Sequence, residues 1–212
     1  MITLYDYLPS QNAWKIRLLL NHLQRPYTQN FVSIFEGEGQ LPEYLAINPT
    51  GAVPAIQEDD GRIIAESNAI LLYLACDTEY LPSATLERAQ VAQWLFFESD
   101  YVQSSIATLR HWLLTGKDKN RSDDVLKSKR DASMKVLSVL NRRLGNYKYL
   151  AGHDYTVADM SVFAYVHLSE DIGVSLNDFP NVKKWIEAVR GQPRFLQDVF
   201  PYSIDEYSYR EL

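Results

Sequence analysis

The chain has 212 residues, of which 46% are hydrophobic and 23% charged, a composition typical of folded globular proteins rather than disordered ones. Its formal net charge is −6 and no segment forms a basic face, which argues against a nucleic-acid partner. The longest apolar runs, such as residues 69–76, are too short to cross a bilayer. We therefore expect neither a nucleic-acid nor a membrane partner.

Charge and cysteine content give two further expectations. Residues 1–80 contain four basic and ten acidic residues, whereas the 17 basic and 17 acidic residues that follow cancel. This shift predicts a domain boundary near residue 80. The single cysteine, Cys76, cannot form an internal disulfide, and the N-terminus lacks the basic and apolar regions of a signal peptide. We expect a cytoplasmic protein.

The first 80 residues alternate between strand and helix patterns. A strand over residues 2–5 precedes an amphipathic helix with apolar residues at Ile16, Leu19, Leu20 and Leu23. The later predicted elements are a strand over 27–33, one or two helical turns over 42–46, a hairpin over 53–57 and 62–65, and a helix over 67–75. This order predicts an α/β domain with a mixed sheet.

The rest of the chain reads as helix. Long amphipathic segments cover 86–114 and 124–144, and Thr156-Val157-Ala158-Asp159 is a capping box that opens a third helix. A fourth helix ends near Gly191 and Pro193, and its apolar face consists of Val182, Trp185, Ile186 and Val189. The tail over 202–212 is polar and rich in tyrosine, so we expect it on the surface.

Three short segments of the first domain are candidates for a binding site. Pro54 stands just before an apolar strand, where a cis peptide would turn the Val53 backbone toward an extended peptide; a plain loop with trans proline is the alternative. Glu66 and Ser67 open a helix, where a carboxylate can bind backbone N–H groups and an ammonium group can bind Glu66. A simple N-cap is the alternative there.

The third segment is Ser10-Gln11-Asn12, between the first strand and the first helix. A hydroxyl and an amide at a helix N-terminus can donate hydrogen bonds to an anion such as a thiolate, and Lys15 and Arg17 would add positive potential. The alternative role for Ser10 is that of a helix cap alone.

Together and in this order, the three segments resemble those of the glutathione transferases. The resemblance covers nearly the whole chain and is strongest over 48–55, 66–70 and 156–159. It implies a thioredoxin-like domain over 1–80 followed by an all-helical domain over 87–212, and glutathione as co-substrate with no metal. The four histidines and Cys76 show no metal-ligand spacing.

The resemblance also implies residue roles. Val53, before cis Pro54, pairs with the cysteinyl backbone of glutathione, while Glu66 and Ser67 hold its γ-glutamyl end and Gln40 its glycyl carboxylate. Ser10-Gln11-Asn12 is similar to the Thr-x-Asn arrangement of some bacterial members, so we rank Ser10 first as thiol activator, then Asn12, then Tyr5. An apolar wall for a small hydrophobic electrophile is expected from Tyr7, Leu8, Tyr101, Ile106 and Trp112.

The resemblance implies a homodimer, in which Glu98 or Asp100 would reach the partner's γ-glutamyl ammonium. Conjugation of glutathione to small electrophiles is the first reading of the function. Reduction of disulfides or peroxides by glutathione is the second, on the similarity of Ser10-Gln11-Asn12 to some bacterial members. Position 10 carries no cysteine, so glutathione must supply both thiols in that reaction. A non-catalytic interaction protein on the same fold is the third.

Overall fold

The computed structural model describes residues 1–210 and divides into two compact units. The first unit consists of Met1–Ala75 together with the C-terminal tail from Pro193, and the second of Cys76–Gln192. The break after residue 75 lies close to the boundary expected at 80. The tail differs from the expectation, because we assigned 87–212 to one helical domain and the chain returns to the first unit at residue 193.

Aromatic packing and hydrogen bonds explain where the tail lies. The ring of Phe195 meets that of Trp14 edge-on, with centroids 5.8 Å apart. The Asn21 side chain donates to the Arg194 carbonyl over 2.7 Å, and Nδ1 of His22 lies 2.8 Å from the Pro193 carbonyl. Tyr202 also packs on the core of the first unit. The tail is therefore not a purely surface segment, although most of its residues are exposed.

The first unit contains a four-stranded mixed sheet, as the sequence predicts. Strand β1 pairs in parallel with β2 and antiparallel with β3, and β3 pairs antiparallel with β4, giving the order β2-β1-β3-β4. The strands are β1 Ile2–Asp6, β2 Tyr27–Phe31, β3 Ala55–Gln57 and β4 Ile63–Ala65. The helices are α1 Gln11–His22, α2 Pro42–Leu45 and α3 Ser67–Leu74, and two 3₁₀ turns cover Ile34–Glu36 and Glu38–Gln40.

Burial follows from the position of each element. β1 is a central strand, and its Ile2 and Leu4 are completely buried. The apolar face of α1 is buried as predicted, including Ile16, Leu19 and Leu20. β2 is an edge strand and mostly exposed, which suits its polar sequence.

The second unit is helical throughout, as predicted. Its α-helices are α4 Thr85–Phe97, α5 Thr108–Thr115, α6 Asp123–Leu144, α7 Val157–Val166 and α8 Pro180–Arg190, and a π-helical stretch over Glu98–Ala107 joins α4 to α5. Every residue of α7 is buried, and the predicted capping box at its start is confirmed. Val182, Trp185, Ile186 and Val189 of α8 are buried as predicted. Across residues 1–210, no helix combines the length and apolarity needed for a membrane span.

His167, which follows α7, makes the stability of the fold depend on pH. Its ring stacks on Phe163 with centroids 4.3 Å apart, and burial lowers the pKa of the imidazole to about 4 from 6.5. Below pH 6.5 the unfolded chain binds a proton that the folded chain does not, so stability is full above pH 6.5 and is lost as the pH falls toward 4.

We expect wild type to lose about 2 kcal/mol more free energy of unfolding than His167→Gln between pH 7 and pH 4, allowing for partial exposure of the ring. Urea unfolding at the two pH values measures this difference. The exposed His153 provides the control, since His153→Gln should follow wild type. Identical pH dependence of wild type and His167→Gln would contradict the prediction.

Candidate functional site

The segment before β3 presents an unpaired backbone. The Val53–Pro54 peptide is cis, which confirms the prediction. Within residues 1–210, neither the N–H nor the C=O of Val53 forms a hydrogen bond. The preceding turn is held by two donors to the Ala52 carbonyl, the Tyr44 hydroxyl and the Asn48 amide, each over 2.7 Å. Val53 therefore has a fixed backbone whose donor and acceptor remain open to an extended ligand.

Gln40 lies beside this turn because two glycines let the chain pack closely. Gly51 has φ +70°, and a Cβ added there would overlap Gln40 Nε2 and lie 2.6 Å from the Gly39 carbonyl oxygen. A Cβ on Gly39 would in turn overlap the Gly51 carbonyl oxygen. Both contacts involve backbone oxygens, which cannot turn away as a side chain can. The exposed Gln40 amide thus lies directly against Gly51, which precedes Val53 by two residues in the chain.

This close approach predicts that Gly51→Ala is strongly destabilising. The left-handed backbone costs about 1 kcal/mol for alanine, and the overlap with Gly39 forces the backbone to move, so we expect a total loss of about 2–4 kcal/mol. Gly61→Ala is the control, since Gly61 has φ +85° with no atom within 4 Å of the added Cβ. Thermal or urea unfolding should show a loss near 1 kcal/mol for the control, and equal losses would disprove the packing argument.

The N-termini of α1 and α3 lie side by side. The Ser67 hydroxyl donates to Asn12 Oδ1 over 3.5 Å, and Lys15 Nζ donates to Asn68 Oδ1 over 3.0 Å. Glu66 precedes α3 with φ +68° and its side chain is exposed. Ser67, one of the two expected γ-glutamyl contacts, therefore meets the expected thiol contact Asn12, and the positive ends of α1 and α3 lie together.

Ser10 both caps α1 and keeps a hydroxyl proton to donate. Its Oγ accepts a hydrogen bond from the Ala13 N–H over 3.3 Å, as an N-cap residue does. The capping role uses only a lone pair of the oxygen, so the O–H group can still donate to an anion. Capping and thiolate stabilisation are therefore compatible at this half-buried residue.

Two neighbouring groups are already engaged. The Tyr5 hydroxyl donates to Gln57 Oε1 over 3.1 Å, which turns it away from a thiol role. Arg17 places Nη1 2.7 Å from both carboxylate oxygens of Asp6, so its charge is neutralised and adds little positive potential at Ser10. Lys15 is fully buried and bonded to Asn68.

The residues expected to form the electrophile wall have different surroundings. Tyr7 is fully buried in a cluster with Phe35, and burial beside Asp205 raises the pKa of its hydroxyl. Ile106 is also fully buried. Both are core residues here, which corrects their assignment to a ligand-contacting wall.

The other three wall residues have accessible surface; Leu8 belongs to the first unit, and Tyr101 and Trp112 belong to the second. Leu8 is half-buried, Tyr101 is 57% exposed, and Trp112 is half-buried with the Arg121 guanidinium 4.7 Å from its ring centroid. Glu98 and Asp100 were the two carboxylates expected to reach the γ-glutamyl ammonium bound in a partner subunit. Glu98 is buried and accepts from Gln103, whereas Asp100 is exposed. Residues 1–210 include no group of three or more His, Cys, Asp or Glu arranged to hold a metal ion.

Sequence reasoning missed the residues that support the site. Tyr44, Asn48 and Asn68 each hold a site segment in place through side-chain hydrogen bonds. The role of Asn48 could have been predicted, because an asparagine before Pro-Thr-Gly is a turn signal. Its Oδ1 accepts from both the N–H and the hydroxyl of Thr50. Tyr44 and Asn68 carry no local signal, because their partners are distant or depend on how helices pack.

Comparison with known proteins places this geometry in a family. Residues 9–76 match the family described as glutathione S-transferase, N-terminal domain, and residues 105–193 match glutathione S-transferase, C-terminal domain. The disulfide-bond oxidoreductase YfcG of Escherichia coli is 32% identical, over 91% of this chain and 92% of that protein.

Solved structures agree with the sequence matches. A glutathione S-transferase from Pseudomonas fluorescens is 34% identical with a TM-score of 0.89, covering 92% of this chain and 97% of that one. A transferase from Burkholderia graminis, described with two glutathione molecules bound per subunit, is 26% identical with a TM-score of 0.74, covering 91% of this chain and 85% of that one. The chain therefore belongs to the glutathione S-transferase family, as an enzyme with a thioredoxin-like first domain and an all-helical second domain.

Proposed function

We propose that the enzyme stabilises the thiolate of glutathione and conjugates it to small hydrophobic electrophiles. The observation that carries this proposal is the unpaired Val53 backbone before cis Pro54, in the same unit as the paired helix ends at Ser10 and Ser67. An extended tripeptide with a carboxylate and an ammonium at one end and a thiol in its middle matches that set of donors and acceptors.

Each part of glutathione has a proposed partner. The cysteinyl backbone pairs with the N–H and C=O of Val53. The γ-glutamyl carboxylate accepts hydrogen bonds at the start of α3, and the Ser67 hydroxyl turns to it from Asn12 Oδ1, a weak partner 3.5 Å away. Glu66 accepts from the ammonium group. The glycyl carboxylate accepts from the Gln40 amide. The exposure of Gln40 and Glu66 and the partial exposure of Ser67 support these roles.

The chemistry we propose is electrostatic. Ser10 donates a hydrogen bond to the sulfur anion, assisted by Asn12 and the positive end of α1, so that more thiol is ionised at neutral pH. A serine hydroxyl is too weak a base to remove the proton, which passes to water. The thiolate then attacks the electrophilic carbon and forms a C–S bond, and with an aryl halide the halide leaves with the electron pair of its bond to carbon.

The electrophile contacts are proposed from the members of the predicted wall that keep accessible surface, the half-buried Leu8 and Trp112 and the exposed Tyr101. Their mixed aliphatic and aromatic surfaces suit an apolar acceptor rather than a charged one. Tyr7 and Ile106 are left out of this set because each is fully buried.

Reduction of disulfides by glutathione is the second candidate. The similarity to YfcG, named a disulfide-bond oxidoreductase, favours it, as does the Burkholderia graminis transferase with two glutathione molecules per subunit. In this reaction the thiolate attacks the glutathione sulfur of a mixed disulfide, forms oxidised glutathione and releases the other thiol as a thiolate. With an organic hydroperoxide, two glutathione molecules are oxidised and an alcohol and water are released.

One panel of assays separates the candidates. Purified enzyme is tested with a chloronitrobenzene, a mixed disulfide and an organic hydroperoxide at equal glutathione concentration. The proposal requires conjugation of the chloronitrobenzene above the rate without enzyme. Turnover of the disulfide alone would replace it with the reductase assignment. Binding to a glutathione resin without turnover of any substrate would favour the interaction-protein reading, and failure to bind would remove the glutathione site itself.

We also propose a cytoplasmic homodimer. The second unit exposes large apolar side chains on α4, with Leu86 72% and Phe96 71% exposed, and twofold dimers are the commonest homo-oligomers. The free Cys76 suits a reducing compartment. Light scattering after gel filtration is expected to give about twice the 24.4 kDa chain mass, and Phe96→Asp should shift the population toward monomer. A monomeric wild type would disprove the proposed assembly.

A further inference from the structure

Ser33 is a junction between the C-terminal tail and the loop that carries Gln40. Its N–H donates to the Glu38 carboxylate over 2.6 Å, and its carbonyl accepts from the N–H groups of Glu36 and Glu38. Its hydroxyl donates to Asp205 Oδ2 over 3.3 Å. Ser33 and Asp205 are both buried, at 5% and 7% exposure, so water does not compete strongly for these bonds.

The loop over residues 33–40 is held at both ends. At one end Ser33 bonds to Asp205 of the tail. At the other, Gly39 and Gln40 pack directly on Gly51, beside the Val53 backbone. Between them the loop consists of two 3₁₀ turns joined at Gly37, which has φ +89°, and its backbone hydrogen bonds run from the Ser33 carbonyl to the Gln40 N–H.

The tail is anchored on the same core that contains Val53. The Tyr202 ring lies 6.4 Å from that of Tyr7 and 6.2 Å from that of Phe35, centroid to centroid. Tyr202 and Tyr207 both pack against the cluster of buried residues that includes Val53. Asp205 stands between them and also accepts from the Tyr207 N–H over 2.8 Å. The Asp205 carboxylate therefore accepts one hydrogen bond from within the tail and one from Ser33 of the loop.

We propose that the C-terminal tail is part of the glutathione site and that Asp205 is a positioning residue for it. Through Ser33, Asp205 holds the 33–40 loop so that the Gln40 amide meets the glycyl carboxylate of glutathione. This rests on the proposed function, and it adds a segment that lies outside both matched family regions, which end at residues 76 and 193.

Two ligands that differ by one residue test the proposal. Calorimetry on the full chain measures the affinity of glutathione and of γ-glutamylcysteine, which lacks the glycyl carboxylate. Asp205→Ala is expected to weaken glutathione about tenfold, as for the loss of one hydrogen bond to a charged group, and to change γ-glutamylcysteine less than twofold. In conjugation assays the KM for glutathione rises by the same factor while kcat stays at the wild-type value.

Matched variants separate positioning from general damage. Asp198→Ala removes an exposed carboxylate of the same tail that bonds to no described residue, and it should behave as wild type. Asp205→Asn keeps an acceptor oxygen and should restore most of the glutathione affinity. Ser33→Ala should weaken glutathione similarly, and combining it with Asp205→Ala should add little further loss.

The outcomes distinguish this inference from the proposed function. If wild type binds glutathione and Asp205→Ala weakens both ligands equally, or neither, the positioning role is wrong and the proposed function stands. If wild type binds neither ligand, the proposed function fails and the inference fails with it. If Asp205→Ala does not fold, Ser33→Ala decides by the same ratio of the two affinities.

Discussion

Removing the Ser10 hydroxyl should raise the pKa of the bound glutathione thiol by about one to two units. A lost hydrogen bond to a charged sulfur costs about 1.5–3 kcal/mol, and the loss falls on the thiolate because the neutral thiol is a weak acceptor. At a pH below the pKa of the wild-type complex, the thiolate fraction, and with it the rate of conjugation, should fall about 10- to 100-fold, while glutathione affinity changes little. Thiolate absorbance of the complex as a function of pH measures the shift directly.

Because Ser10 also caps α1, the substitution must be chosen to separate the two roles. Ser10→Gly loses the hydroxyl but costs the cap only a few tenths of a kcal/mol, whereas Ser10→Thr keeps both functions. Ser122→Ala removes a comparable cap, from α6, and should reduce stability without moving the thiol pKa. Tyr5→Phe should also leave the pKa of the glutathione thiol unchanged, since the Tyr5 hydroxyl donates to Gln57. A Ser10→Gly enzyme that titrates and turns over like wild type would leave Asn12 as the activator.

The largest expected effect on stability is that of Asp159→Ala, about 3–5 kcal/mol. The carboxylate is completely buried and accepts four hydrogen bonds. The donors are the Leu150 N–H, the Trp185 indole N–H, and the N–H and hydroxyl of Thr156. Alanine leaves all four donors buried without a partner, which costs more than the loss of a surface cap. Urea unfolding with a constant m-value measures the change.

Smaller changes at the same site should give graded losses. Asp159→Asn keeps one acceptor oxygen and should lose about half as much, and Trp185→Phe removes one donor and should cost about 1 kcal/mol beyond its change in packing. Asp154→Ala, at an exposed carboxylate, should stay within about 0.5 kcal/mol of wild type. If Asp159→Ala lost no more than Asp154→Ala, the four-bond interpretation would be wrong.

Asp159 also has a pH signature opposite to that of His167. Burial raises the pKa of its carboxyl to about 6 from 3.8, although the hydrogen bonds it accepts act to lower it. Between pH 3.8 and 6 the folded chain binds a proton at Asp159 that the unfolded chain has released. The stability gained from this proton is therefore full below pH 3.8 and is lost as the pH rises through 6. The free energy of unfolding of wild type should therefore change little between pH 4 and 6, because the two contributions oppose each other. In His167→Gln it should fall as the pH rises, and in Asp159→Asn it should increase as the pH rises.

Most helices and strands were predictable because their signals are local. The apolar period of α1, the hairpin around Gly61 and the capping box at Thr156 depend on residues a few positions apart. The π-helical stretch between α4 and α5 was not predicted, since its sequence has the ordinary composition of a helix.

The candidate site was predictable only in outline. Val53-Pro54 and Ser10 were marked by residue type next to a strand or helix end, and the structure has a cis peptide and an N-cap at these positions. The assignment of Tyr7 failed for a general reason. A tyrosine beside a strand end looks the same in sequence whether its ring faces a ligand or a core, and here it meets Phe35 and Tyr202 from distant parts of the chain.

The sequence by itself determined the order of elements, the two kinds of domain and the segments that resemble the glutathione transferases, since periodicity, capping and turn chemistry act over short distances. The tertiary structure alone decided that the tail after residue 193 returns to the first unit, that Asp205 meets Ser33, and that Arg17 is neutralised by Asp6. These pairings join residues that local patterns do not relate. Their energies depend on burial and on distance in space, and both exist only once the chain has folded.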